Sequence, residues 1–344
     1  MKFSRKDLDW AAETGVIAPE VRDALIAAFQ TRYADSPSLS VAHVLSYLGG
    51  LIIIGAMTLY VSSAWEALGG SGHLAVALIY AGAFVLSGRW LWTRKGQTIP
   101  GGILITAAVC MTPMAIYGIQ EMTGWWGWNE PGSYSDFYEW VRSGWFVMEV
   151  GTVLAGLVAL KWFRFPFITL PIAFSLWFMS MDLTSVLYGS DFSWEHRKIV
   201  SIWFGLTMLI GSFLVDRRTE KDFAFWGYLF GLFAFWGGLT FMDSETELGR
   251  FVYVCLNLGL IGVSILVQRR VFIIFGGFGV CLYLGHLAYD VFENELLFAF
   301  ALSGVGVAII VLGLVYHRHQ QAIERVVLNM VPESIRRTLP QFRS

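Results

Sequence analysis

Between Val41 and Tyr316 the chain runs through about ten apolar stretches, each roughly 20 residues long and separated by short polar turns. A hydrocarbon core of about 30 Å is crossed by about 20 helical residues, and a buried helix of a soluble domain seldom runs that far without charge. The pattern predicts an all-α fold, a polytopic transmembrane helical bundle. Composition agrees: of 344 residues, 56% are hydrophobic and only 15% charged, with a mean hydropathy of +0.59. That balance excludes an ordinary soluble domain.

Three regions follow from the patterning. Residues 1–40 are polar and read as a cytoplasmic helical hairpin, in which Gly15 ends one helix and Pro19 opens the next. Residues 41–316 form the membrane domain. Its expected spans are 41–62, 73–93, 100–122, 144–163, 165–187, 197–215, 223–242, 250–267, 270–290 and 295–316. Residues 317–344 form a basic, amphipathic tail expected along the cytoplasmic surface. The first 40 residues carry no short apolar core followed by a small-residue cleavage site, so insertion is expected to be directed by the spans themselves.

Charge sets the orientation. Alternate turns place Arg89, Arg94, Lys95, Lys161, Arg164, Arg217, Arg218, Lys221, Arg269 and Arg270 on one side, against Arg142, Arg197, Lys198 and Arg250 on the other. Basic turns stay in the cytoplasm, which predicts both termini inside. Acidic residues, among them Glu66, Glu130, Asp191, Glu195 and Glu247, collect on the outer side. The outer connection from Gly124 to Ser143 is rich in Trp and Tyr and suits the headgroup zone, either as an aromatic belt or as a lid over a ligand. With the cations dispersed and a net charge of −2, no nucleic-acid partner is expected.

Ionisable side chains inside a membrane are costly unless paired or hydrated, so each is a candidate for function. Glu149 lies about 8 Å below the outer end of the fourth span at 1.5 Å per residue, and Asp182 is similarly deep in the fifth. Asn257 and His286 reach comparable depth, while Glu121 and Asp290 sit nearer the rim. Tyr283, His286 and Asp290 share one helical face at i, i+3 and i+7. One polar cavity, open to the outside between spans three, four, five, eight and nine, would gather these groups for substrate binding or proton coupling, with His286 as relay. Pro113 and Pro171 would interrupt their helices and expose carbonyls.

The enzymatic alternative is zinc held by His73, His196 and His286 with Asp182 or Asp290, although no paired-histidine spacing marks it. Walker and GxSxG motifs are absent from the sequence, and Cys110, Cys255 and Cys281 lie singly in apolar stretches, so no cofactor is implied.

The run Trp10 to Gly15-Val16-Ile17-Ala18-Pro19-Glu20, followed by Ser46-Tyr47-Leu48-Gly49-Gly50-Leu51, resembles predicted bacterial inner-membrane proteins of a domain-of-unknown-function family with an N-terminal hairpin and multiple spans. The likeness covers about the first 120 residues and implies a bacterial inner-membrane setting; that family supplies no activity to transfer. Three readings stand: a proton-coupled carrier of a small solute, a non-transporting scaffold or sensor with a protein partner at the N-terminal hairpin, and a membrane-embedded lipid-modifying hydrolase. Membrane lipids are expected partners in all three.

Overall fold

The structure, a computed structural model, describes residues 5–32, 41–126, 145–188, 193–219, 221–242 and 247–291, with isolated positions between 300 and 318. Among these residues every regular element is helical. Helices α1 (Arg5–Glu13) and α2 (Pro19–Arg32) make the N-terminal hairpin. Gly15 turns the chain at φ 73°, and Pro19 occupies the first position of α2, where its missing N–H costs nothing. Arg22 of α2 reaches Asp9 of α1 at 3.6 Å.

Helix α3 (Val41–Arg94) covers the first two expected spans and is broken once, at Gly69 (φ 56°, ψ 176°), in a conformation that side chains rarely adopt. The third expected span is two helices, α4 (Thr98–Cys110) and α5 (Thr112–Thr123). Pro113 supplies no N–H for the carbonyl four residues back and crowds it, and at the junction the Met111 N–H turns to the Ala108 carbonyl at 3.2 Å. Pro171, by contrast, interrupts nothing. A 3-10 turn (Pro166–Ile168) leads into α7 (Thr169–Tyr188), which places Pro171 in a first turn that needs no helical donor.

The remaining helices are α6 (Phe146–Trp162), α8 (Trp194–Arg218), α9 (Phe225–Thr240), α10 (Glu247–Val267) and α11 (Arg270–Val291). Among the described residues five stretches are long and apolar enough to cross a membrane: Gly69–Arg94, Thr98–Thr123, Pro166–Thr184, Trp194–Arg218 and Leu248–Val267. The expectation of ten spans is met only in part. Helices α6 and α9, of 17 and 16 residues, rise only about 24–26 Å, short of a full core. Most of the tenth expected span, the aromatic connection beyond Trp126 and the basic tail lie outside the described residues.

Helices near one another in sequence pack together. The second half of α3 lies against α4 and α5; α5 lies against α6, and α6 against α7. Helix α7 packs on α8 and α9, α9 on α8 and α11, and α11 on α10. Glycine permits the closest approaches: a methyl group on Gly118 would stand 2.7 Å from the Gly70 carbonyl, and one on Gly88 3.0 Å from that of Gly101. These contacts fasten α3 to α4 and α5 at both ends.

Polarity is distributed inside out. Ile79, Leu86, Trp203 and Phe278 face outward, while Thr106, Thr152, Ser180 and Ser212 are buried between helices. Trp125 and Trp194 lie exposed at one end of the bundle and Trp90 and Trp162 at the other, two girdles of the kind that sit at membrane interfaces. The first of these ends carries Glu121, Glu149, Asp182 and Glu195 and is here termed the acidic end. The opposite, basic end carries Arg94, Arg164, Arg218 and Arg269.

At the basic end Arg269, in the turn between α10 and α11, bridges two acids. Its Nη2 donates to Asp216 Oδ1 at 2.6 Å and its Nη1 to Asp222 Oδ2 at 2.7 Å. Asp216 is buried, and Tyr228 of α9 packs beside the pair, with the guanidinium 5.7 Å over its ring. This cluster ties the α8–α9 connection to the α10–α11 turn.

Two outcomes are expected from detergent-solubilised protein followed by thermal unfolding. Gly118→Leu overpacks a backbone contact and destabilises by about 1–3 kcal/mol, whereas Gly82→Leu, facing open space, does not lower the midpoint. Arg269→Gln strands a buried aspartate and costs about 3–5 kcal/mol, while Asp222→Asn, whose carboxylate is 45% exposed, costs at most about 1 kcal/mol.

Candidate functional site

A helix begins with N–H groups that have no partner inside it, and at α6 one is met from a neighbouring helix. The Trp145 N–H donates to Asp182 Oδ2 of α7 at 2.6 Å. Asp182 is buried and lies within the field of Arg197, a buried cation in the first turn of α8. A carboxylate at the α6 N-terminus also opposes the positive end of the helix dipole. One turn into α6, Glu149 is 6% exposed, within electrostatic reach of Asp182, and neither of its carboxylate oxygens has a hydrogen-bond partner. Two acids thus sit side by side, one engaged by backbone and cation, the other open.

Aromatic rings extend this pair toward the rim. Tyr117 of α5 stacks on Trp145 with ring centres 6.3 Å apart, meets Trp126 at 5.4 Å, and takes the edge of His73 at 5.3 Å. His73 is fully buried, and its Nδ1 lies 3.0 Å from Glu121 Oε2. Beside it Gln120 is buried with neither amide atom bonded.

A cavity of about 510 Å³ opens among α4, α5, α6 and α7. Its walls are chiefly Met114, Leu170, Phe174 and Phe178, with Tyr117 and Trp145, and among the described residues Glu149 is the only carboxylate lining it. The Thr152 hydroxyl in the same wall is already bonded to the Met148 carbonyl at 2.7 Å. Pro113 and Pro171 line it as well. The cavity therefore presents aromatic faces, aliphatic surface and one open acid, a combination suited to a lipophilic cation or a protonated amphiphile.

Of the residues singled out from sequence, Glu149 and Asp182 come together, and Glu121 joins them through His73, Tyr117 and Trp145. Asn257 and His286 belong elsewhere. The Asn257 side chain accepts from Trp236 Nε1 at 3.0 Å and donates to the Tyr253 carbonyl at 2.9 Å, locking α9 to α10. His286 lines a separate pocket of about 240 Å³ with Arg250, Tyr253 and Tyr283. Asp290 lies near the end of α11, and its side chain is outside the described residues. The three histidines weighed for zinc occupy three different settings: His73 lies beside Glu121, His196 caps α8 with Ser193, and His286 sits on α11.

Sequence reading passed over Gln120 and the His73–Glu121 contact. Gln120 precedes Glu121 in an apolar run, and an amide in such a run was the available signal. The 48-residue separation of His73 and Glu121 leaves no local pattern.

No family model, curated protein or solved structure matches the chain. The class defined by fold and site is all-helical, with apolar helices consistent with an integral membrane protein.

Asp182→Ala removes the acceptor for the Trp145 N–H and costs about 0.5–2 kcal/mol, while Asp182→Asn retains an acceptor oxygen and loses less. Thermal unfolding, together with amide exchange in the first turn of α6, distinguishes the two variants.

Proposed function

We propose that this chain is a proton-coupled carrier of a small lipophilic cation in the bacterial inner membrane, with ten spans and both termini in the cytoplasm. The observation that supports it is Glu149, a buried carboxylate whose oxygens have no hydrogen-bond partner and which lines an aromatic cavity large enough for a small solute. A charge held there calls for a neutralising proton or counter-ion, because water is largely excluded. Proton and cation then compete for one carboxylate, and that competition is the minimal form of exchange.

Asp182 holds the α6 N-terminus in place and sets the field around Glu149. His73, Glu121 and Tyr117 line a route from the rim. The break at Met111 and Pro113, on the cavity wall, supplies a point at which α5 can move without rupturing further helical bonds. The inner-membrane setting and the orientation rest on the basic turns and on the N-terminal resemblance.

The test uses purified protein in liposomes with an imposed pH gradient and tetraphenylphosphonium as probe. Wild-type protein is expected to move the probe in a gradient-dependent manner. Glu149→Gln, with unchanged thermal unfolding, reduces that movement to the protein-free level, and deletion of residues 1–38 leaves it intact. Equal movement by wild type and Glu149→Gln overturns the assignment. Probe binding without movement in wild type replaces carrier by sensor.

A further inference from the structure

The Glu149 cavity holds a second polar group with nothing to bond. Ser175 of α7 lines it and is 6% exposed, and its hydroxyl has no hydrogen-bond partner among the described residues. Other hydroxyls in the bundle are engaged: Thr152 returns to the Met148 carbonyl, Ser180 donates to that of Trp177, and Ser201 crosses to that of Ala234 on α9. Ser175 makes no such return to its own helix, which leaves its hydroxyl in the cavity wall.

Two contacts fix the register of α6 against α7: the Trp145 N–H reaches Asp182, and Gly156 faces Ile172. Between them Glu149 falls level with Phe178, and Ser175 falls level with Thr152, about 4.5 Å farther from the acidic end at 1.5 Å per residue. The α7 wall continues to Leu170, about 12 Å from Phe178. A solute that meets all of this carries its charge at one end, a hydrogen-bonding group one helical turn along, and an apolar remainder beyond. A hydroxyl taken from water into an apolar cavity is costly without a partner, and Ser175 supplies one. A quaternary cation or a plain alkylammonium fills the same space and leaves the serine unanswered.

We propose that the solute is a protonated amine bearing a hydroxyl about 5 Å from its nitrogen, one helical pitch. Glu149 holds the ammonium, Ser175 exchanges a hydrogen bond with the hydroxyl, and an aryl or alkyl group seats against Met114, Leu170 and Phe174. Ser175 is the specificity-determining residue of the site. The proposal rests on the cation reading of Glu149 and adds to it the polar group by which one lipophilic cation is told from another.

Equilibrium dialysis of the detergent-solubilised full chain tests it with two probes: phenylpropylamine, its amine and ring at opposite ends of the propyl chain, and the analogue hydroxylated at the benzylic carbon. Wild-type protein is expected to bind the hydroxylated amine about 2–10-fold tighter. Ser175→Ala removes or inverts that preference, because the added hydroxyl then enters without a partner, and Glu149→Gln weakens both amines. Equal wild-type affinities, or a preference that survives Ser175→Ala, overturn the role of the serine; if both amines still depend on Glu149, the cation reading stands. Absence of binding by either amine to wild type, or binding indifferent to Glu149→Gln, overturns the cation reading and this proposal with it. Should Ser175→Ala fail to fold, the wild-type comparison decides, together with Ser175→Cys, whose thiol bonds more weakly and lowers the preference.

Discussion

Inside hydrocarbon there is no water to accept what a polar group gives up, and this arrangement of helices follows from that single restriction. Peptide groups answer it within each helix. Short hydroxyls answer it by folding back: Thr106, Thr152 and Ser212 each donate to the carbonyl four residues earlier, at 2.7–2.8 Å. Longer polar side chains must find partners across the seams between helices, and those partnerships define the interior: Asn257 with Trp236, Asp216 with Arg269, Asp182 with the Trp145 backbone. Against that background a carboxylate without such a partner stands out, and Glu149 is the example that also faces a cavity.

The two ends of the bundle resolve the same restriction differently. At the basic end the buried acid Asp216 is matched by a cation held rigidly in a tight turn, where Gln268 takes a positive φ of 56° to reverse the chain between α10 and α11. At the acidic end the buried acids Glu149 and Asp182 adjoin, Arg197 acts on Asp182, and Glu149 is left facing aromatic rings. The first arrangement is a fastening and the second is a receptive surface.

Much of the helical skeleton was legible because apolar run length and proline position act locally. The hairpin of α1 and α2 follows from Gly15 and Pro19, and helices lie along the stretches read as the first nine spans. The number of crossings was less legible, since α6 and α9 carry the right composition over too few residues. The contrasting behaviour of Pro113 and Pro171 was also out of reach: each sits in an apolar run and in the first turn of its helix, but α4 runs directly up to Pro113, whereas the 3-10 turn at Pro166–Ile168 precedes Pro171. Depth could be read for Glu149, Asp182, Asn257 and His286, but not lateral position. Whether two helices of equal depth adjoin depends on packing order, and α11 meets α9 and α10 while Glu149 sits between α5 and α7. Asp216 and Arg269, 53 residues apart, had no shared local signal, and Arg269 read only as a topogenic charge.

Backbone touching backbone leaves little room for sliding. Where Gly118 meets Gly70 and Gly88 meets Gly101, α3 is zipped to α4 and α5, and where Gly205 approaches the Gly231 carbonyl, α8 and α9 are zipped in the same manner. The Glu149 cavity lies along the unzipped border, lined on one side by α4 and α5 and on the other by α6 and α7, where Gly151 of α6 meets the flexible tip of Ile116 of α5. Rigid blocks separated by a compliant border have one soft direction of shear, and here that direction runs through the open carboxylate.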